Sequence, residues 1–585
     1  MTLSAGSART DQATSSASAK TAGTSAGSAR PDARSEATRL LCAGAYLDLD
    51  FRRRVIEELV EHEERPIAPS LGIDVVPVLT HALRARTQDV LTAVLLACLW
   101  AAFFVSGFVS DSGSLPDVPL PWAGIYALVC VAHWIGQAAA SRGSAVYAVD
   151  KSTLRQALKG RASLRALRAV GPPVLQIGYW IGVVAALLDG VGSWTAVLFP
   201  LLLVLPVWMH RSRVAGVMRM ELGREAFARH PRAVPRSSYH RRIAATIDRE
   251  QYAGLTIYDP SRPFIGMGRP YEPWSFVLEL KPRSGGMNGA NGGKDVSKDV
   301  RKNGSKDGGK DGGNGDAGPA FTARAVVDLI RPRLEALRDS AAATSRDRLK
   351  DLEIEEFVYL PVGPYRPEVR YDEPVVRQHL SEAVDEGGEA RRYFLRVRVG
   401  AWDEQVVVSV LVRVHTQGGM LVLEVVPHVL MPVKPEFRAV DVIASRGEDD
   451  ILRDGARAFL TAPAAGFASA VSAVRTAVAG FRTWLADPRR AVPDGPAGSV
   501  REIAGVHSIS LFQEMDISRY VKTVQDRIAS GVRDALRSQG YETDQFEQQI
   551  VQVSEGGVFI GSMSGGAVAA GSGAQARNTT KDGGS

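Results

Sequence analysis

VLTAVLLACLWAAFFVSGFV, residues 90–109, is a run of twenty residues without a charge. At about 1.5 Å per residue, a helix of that length spans roughly the 30 Å hydrocarbon core of a bilayer. Outward from it, LPWAGIYALVCVAHWIGQAAA (residues 120–140) is a second charge-free run, and apolar segments follow at about 172–188 and 191–209. Only Asp189 and Gly190 separate the last two, which predicts a tight hairpin. Backbone polar groups in lipid must be satisfied within the segment, so the reading is an α-helical membrane domain of four transmembrane helices in two hairpins. The alternative is a large soluble core, but soluble helices keep a polar stripe and these do not.

Charge on the loops sets the expected orientation. The connection at 110–119 holds Asp111 and Asp117 and no Lys or Arg, whereas 141–169 holds seven basic residues against Asp150 alone. Arg84 and Arg86 precede the first apolar run, and Arg211 and Arg213 follow the last. Basic residues mark the cytoplasmic side. The expectation is therefore a multi-pass protein of the cell membrane with both termini in the cytoplasm. Trp122, Trp194 and Trp208 sit near predicted ends, where an interfacial belt places them.

The chain has 585 residues, too many for one domain, and its net charge of +6 is a small difference between 70 basic and 64 acidic residues. Much of the excess lies in a basic juxtamembrane helix expected at 210–250, where Arg211, Arg213 and Arg219 are candidates for anionic lipid head groups of the inner leaflet. Each such charge contributes about 1 kcal/mol close to the surface. Nucleic acid is a poorer fit, since no aromatic interleaving or helix-turn-helix pattern accompanies the charge. Three cysteines make no disulfide framework. No apolar core of a signal peptide occurs in the first forty residues.

Residues 1–37, rich in Ser, Ala, Thr and Gly, read as disordered, as do 571–585. Residues 38–87 read as cytoplasmic helices: an amphipathic one at about 40–62, ended by Pro66, and a second at 75–87 leading into the membrane. Residues 251–450 read as a cytoplasmic α+β domain interrupted by a Gly/Lys/Asp-rich flexible insertion at 284–319. Short strands are expected at 255–258, 275–280 and 356–360. Alternating runs at 393–399, 406–414 and 421–425 predict an antiparallel β-meander. A helix at 321–337 should kink or break at Pro332. The loop PFIGMGR (263–269) carries a lone G-x-G, which reads as a turn more than as a phosphate cradle because no third glycine or helix start follows.

Residues 451–487 form an Ala-rich helical segment, and 492–498 a linker. The tail, 503–570, holds a helix at 515–538 with Asp516 as expected N-cap, then a β-prone, Gly-punctuated stretch from 549. Ile517, Val521, Val524 and Ile528 lie on one side of that helix, a face suited to a partner helix, to homo-oligomerisation or to packing on its own domain.

No catalytic, cofactor or metal signature emerges. The histidines are scattered without metal-ligand spacing, and no dinucleotide fingerprint opens a βαβ unit. Within the apolar segments, His133 and Gln137 lie one turn apart, and Gln176 is on the third. Polar residues there serve either as interhelical hydrogen bonds or as a conduction path.

Several stretches resemble a family of uncharacterised multi-pass membrane proteins from actinobacteria: LLCAGAYLDLDF (40–51), EERPIAPSLGIDVVPVLTHAL (63–83), residues 263–274 with the G-x-G and Trp274, and a tail with Arg519-Tyr520 and Gly557-Val558. The resemblance implies the same topology and a cytoplasmic bulk, and carries over no functional residues. The functional expectation is an integral membrane protein that anchors a cytoplasmic scaffold, sensor or protein-interaction module. The alternative is a channel or transporter subunit built from oligomerised four-helix units. An enzyme without a linear motif is a third reading.

Overall fold

The computed structural model describes residues 34–110, 123–129, 174, 176–185, 188, 195–283, 321–344, 347–388, 390–445, 455–456, 458–459, 462, 472–482, 485 and 494–554. Helix α1 (Glu36–Leu47) starts at Ser35, whose hydroxyl accepts from the Thr38 backbone N–H at 3.1 Å. It ends at Asp48, which caps a second helix, Leu49–Ile56, by accepting from the Asp50 and Phe51 backbone N–H groups. The expected single helix at 40–62 is therefore two, because a carboxylate that satisfies two N–H groups begins a new helix there.

The four-helix membrane domain is not what the structure contains. Among the described residues two helices are long and apolar enough to cross a membrane, Val75–Ser106 and Val197–Met220. The first is the core of one continuous helix, α2 (Val75–Ser110), which joins the expected lead-in helix to the apolar run. Nothing in its sequence breaks it, and Asp74 caps its start by accepting from Val76 N–H at 3.1 Å. The second is α3 (Thr195–Leu202) followed by α4 (Val204–Met220), which runs eleven residues beyond the expected end at Met209. Of the third expected span, the described residues show the ten-residue apolar helix Gln176–Ala185, shorter than a candidate span. Of the second, residues 123–129 are helical, and the rest, with His133 and Gln137, lies outside the described residues. The basic stretch after α4 is not one juxtamembrane helix either. It turns at Glu221–Gly223 and reaches α5 (Ser238–Glu250) by way of a short helix, Arg224–Arg229.

The bases of α2 and α4 lie side by side and antiparallel. Arg84 meets Glu221 at 2.6 Å, while eight residues further along α2 the Thr92 hydroxyl is 3.3 Å from His210 Nδ1. Only 22 % and 33 % of the two apolar windows are buried, so most of their apolar surface is exposed, unlike a soluble core helix.

Strands between residues 255 and 430 build a seven-stranded sheet, and it is mixed rather than a simple antiparallel meander. Its strands are β1 (Leu255–Tyr258), β2 (Arg269–Pro270), β3 (Trp274–Glu279), β4 (Glu353–Pro361), β5 (Arg392–Ala401), β6 (Val406–Gln417) and β7 (Met420–Leu430). β5, β6 and β7 do form antiparallel hairpins, and β4 and β3 flank them antiparallel. β1 pairs parallel to β4, however, with Leu255 opposite Val358. That pairing joins strands far apart in sequence, which short-range alternation cannot reveal.

One face of the sheet packs on α6 (Ala323–Thr344) and on α8 (Leu511–Ser538), with Leu395, Val397, Val410 and Val412 from the strands, Val326 and Ile330 from α6, and Val524 and Ile528 from α8 all buried. α6 continues through Pro332. α7 (Glu373–Ala383) lies over β4. α8 begins four residues before the expected helix at 515, because Ser510 and Gln513 form a capping box there, and Asp516 sits inside the helix. The stretch from 549, expected to be β-prone, is helical where described, within Asp544–Ser554.

Candidate functional site

The opposite face of the sheet is where the polar groups gather. Period-two geometry puts Glu353, Glu355, Phe357 and Tyr359 of β4 on that side, together with Phe394, Arg396 and Arg398 of β5. The register sets Glu353 opposite Arg398 and Glu355 opposite Arg396. Each pair forms a cross-strand ion pair, and Arg398 reaches Glu404 as well. Arg396 also lies over the Phe357 ring, 4.6 Å from its centroid. These arginines are buried, at 8 % and 4 % exposure, so they are not a solvated edge. Burial pushes the Glu404 carboxyl upward even though Arg398 pulls it back.

β1 covers only Val358–Pro361 of β4, so residues 353–357 run on past the end of that neighbour. A cleft of about 950 Å³ wraps round this edge. Its floor is residues 353–357 with Arg396 and Arg398, and one wall is α7, with Arg377, Gln378 and Ser381. On the α6 side Glu356 receives Arg324 at 3.1 Å and Arg331 at 2.7 Å. The Tyr393 hydroxyl is pushed well up by burial and by Glu356.

The remaining wall is the segment that leads into α2. Ile67, Pro69, Ser70, Leu71 and Gly72 line the cleft. Two clamps hold it. Glu250, at the end of α5, takes Arg366 in a bidentate pair at 2.7 Å and 2.7 Å and also accepts from the Ile67 N–H. Arg366 donates further to the Glu63 carbonyl at 2.8 Å. At the other end Asp74, fully buried, accepts from Arg232 at 2.6 Å and 2.8 Å and from Gln251 at 3.2 Å. Between them Gly72 turns at φ +71°, with the Glu404 carboxylate where a side chain would stand.

The G-x-G loop is a cradle whose occupant is part of the chain. The N–H groups of Gly266 and Gly268 both donate to one oxygen of Glu502, at 2.9 Å each. Both glycines sit at φ +93°, and a Cβ on Gly268 would meet the Val429 carbonyl at 2.2 Å. Burial raises the Glu502 carboxyl, while those N–H groups and Ser499 draw it down.

The residues singled out from sequence are dispersed. Arg211 is buried, Arg213 exposed and Arg219 half-buried. Gln176 is half-buried at the start of its helix. Ile517, Val521, Val524 and Ile528 are at most 1 % exposed, within the sheet domain's own core. None of these lines the cleft. The cleft residues had one sequence signal, the paired spacings Glu353/Glu355 and Arg396/Arg398 on neighbouring strands. Chemically the cleft offers guanidinium–carboxylate pairs able to exchange partners with a polar ligand. No cluster of three or more metal-ligating side chains occurs among the described residues.

A family model described as an AbeC-like domain matches residues 273–565, from the start of the β3 region through α8 and beyond. No curated protein and no solved structure matches the chain.

Proposed function

We propose, from the premise that this chain belongs to the AbeC-like domain family, that it is a membrane-anchored sensor whose sheet domain binds a polar ligand in the cleft and passes that event to the apolar helices. The observation that carries this reading is continuity. The cleft wall Ile67–Gly72 is followed, after two residues, by Val75, the first residue of α2. A ligand that shifts Gly72 against Glu404 and Arg398 therefore acts on the start of that helix. The mostly exposed apolar surface of α2 and of the helix formed by α3 and α4 supports an anchoring role, since water would not tolerate it and lipid does. In this proposal both helices cross the inner membrane boundary with Arg84, Arg86 and Arg213 on the cytoplasmic side, so the sheet domain and both termini share that side. Paired charges without an activated nucleophile favour binding over catalysis.

The test is native mass spectrometry of the full chain purified in nanodiscs. The expected result is a small bound mass in the wild type that Ser381→Trp, which fills the cleft, removes. Identical bound masses in both proteins would end the sensor reading. A scaffold role has its own observation: Leu511, Phe512 and Met515 at the start of α8 are 70 %, 71 % and 59 % exposed, an apolar patch apart from the cleft. Loss of a co-purifying protein in Phe512→Ser, with the cleft ligand retained, would favour that role instead.

A further inference from the structure

We propose that Val474, Val478, Phe481 and Leu485 form a lipid-contacting stripe of the membrane part, turned toward acyl chains. The inference rests on the membrane reading of α2 and α4 given above.

The sequence from Ala458 to Val474 carries no charge. Its first part is packed among the apolar helices and away from the sheet domain. Ala458 and Ala462 are 0 % and 2 % exposed in a cluster with Phe103 of α2, Val207 of α4, and Tyr179, Trp180 and Val183 of the helix Gln176–Ala185. The Phe459 ring stacks on Trp180 with centroids 3.7 Å apart.

Residues 472–482 are helical. Val474, Val478, Phe481 and Leu485 recur at spacings of four, three and four. At about 100° per residue they fall within an arc of about 60°. They are 63 %, 51 %, 60 % and 70 % exposed. Apolar side chains of α2 show the same exposure: Val94 51 % and Val105 61 %. Arg475 and Arg482 flank the stripe at its edge, where a long side chain carries its charge to the head groups while its stem lies along apolar surface. Arg482 acts electrostatically on Glu61, as does Arg86, which lies four residues before the apolar run of α2 begins. From Val474 to Phe481 the helix is about 10 Å long, which keeps it within one leaflet. The occupant is therefore the lipid of the bilayer that α2 and the α3–α4 pair cross, because Ala458 and Ala462 are already part of their apolar cluster.

The experiment uses the full chain in vesicles containing a phospholipid with a diazirine on its acyl chain. After irradiation, peptides are mapped for lipid adducts. The expected result is adducts both on α2 near Val94 and Val105 and on residues 474–485. With Val478→Asp the second set should fall by about tenfold, since a carboxylate is expelled from the acyl layer. Adducts on α2 but none on 474–485 in the wild type would overturn this inference and leave the membrane reading standing. Adducts on neither would overturn both. A Val478→Cys chain that cross-links to a second copy in the vesicles, beyond the wild-type background, would mean that protein covers the stripe, and would overturn it too.

Discussion

The two faces of the seven-stranded sheet are built by opposite rules. On one, Leu395, Val397, Val410 and Val412 meet the apolar side chains of α6 and α8. On the other, the same strands carry Arg396, Arg398, Ser409 and Arg413 among Phe357, Tyr359 and Phe394. Both faces are buried. The first depends only on exclusion of water and tight packing, and the second on every charge keeping a partner of opposite sign. The difference teaches where this protein can change. An apolar face has one good arrangement, whereas a face of ion pairs can trade one carboxylate for another, or for a ligand.

The comparison breaks most sharply if the apolar face accepts a charge. Val524→Asp puts a carboxylate at a position with 0 % exposure. An unpaired buried charge of this kind costs more than about 4 kcal/mol, a large part of a domain's stability. The expected outcome is a chain whose sheet domain does not fold, seen as lost protease resistance of the fragment from 320 onward. A normally resistant Val524→Asp protein would mean that α8 is not part of the core.

The cleft face should show the opposite behaviour, with single losses severe and paired losses mild. Glu250→Ala leaves the Arg366 guanidinium, 8 % exposed, without its bidentate partner. Breaking a buried pair from one side costs about 3–5 kcal/mol. Replacing both, as Glu250→Gln with Arg366→Met, should recover most of that loss in thermal denaturation. If the double variant melts as low as Glu250→Ala, the pair holds the membrane-entry segment through something other than charge balance.

Much of the apolar face was legible in the sequence. The alternation at 393–399 and 406–414 named the strands to within a few residues, and the stripe Ile517, Val521, Val524, Ile528 named the helix face that covers them. Periodicity reports that a face is apolar, not what covers it, so the same stripe read equally well as a partner surface. The cleft face was not legible, for a related reason. Arg396 and Arg398 alternate with apolar residues as a solvated edge would, and only the distant register of β4 puts Glu355 and Glu353 across from them. The count of crossing helices failed where hydropathy alone was used. Charge-free runs at 120–140 and 172–188 satisfy a composition test, yet among the described residues neither supplies a helix long enough to count as a span. Asp74, Gln251 and Arg232 converge on the start of α2 from three separate segments, and no local pattern announces that.

The smallest expected effect, and the finest probe of the contrast, is at Glu502. Here the carboxylate faces neutral donors, the Gly266 and Gly268 N–H groups, rather than an arginine. Burial raises its carboxyl above the ordinary 4.5. The folded chain therefore holds this proton to higher pH than the unfolded chain does. Stability from the group is complete below the ordinary value and is lost as pH rises through the raised one. Glu502→Gln keeps an oxygen for both N–H groups and removes the charge. Melting temperatures measured from about pH 4 to 8 should fall less steeply in Glu502→Gln than in the wild type. At the upper end the variant should melt at or above the wild type, because an amide is less costly to bury than a carboxylate. A variant that melts well below the wild type at high pH alone would show that the two glycines prefer the anion. The cradle would then belong with the ionic face, as a site where charge itself is recognised.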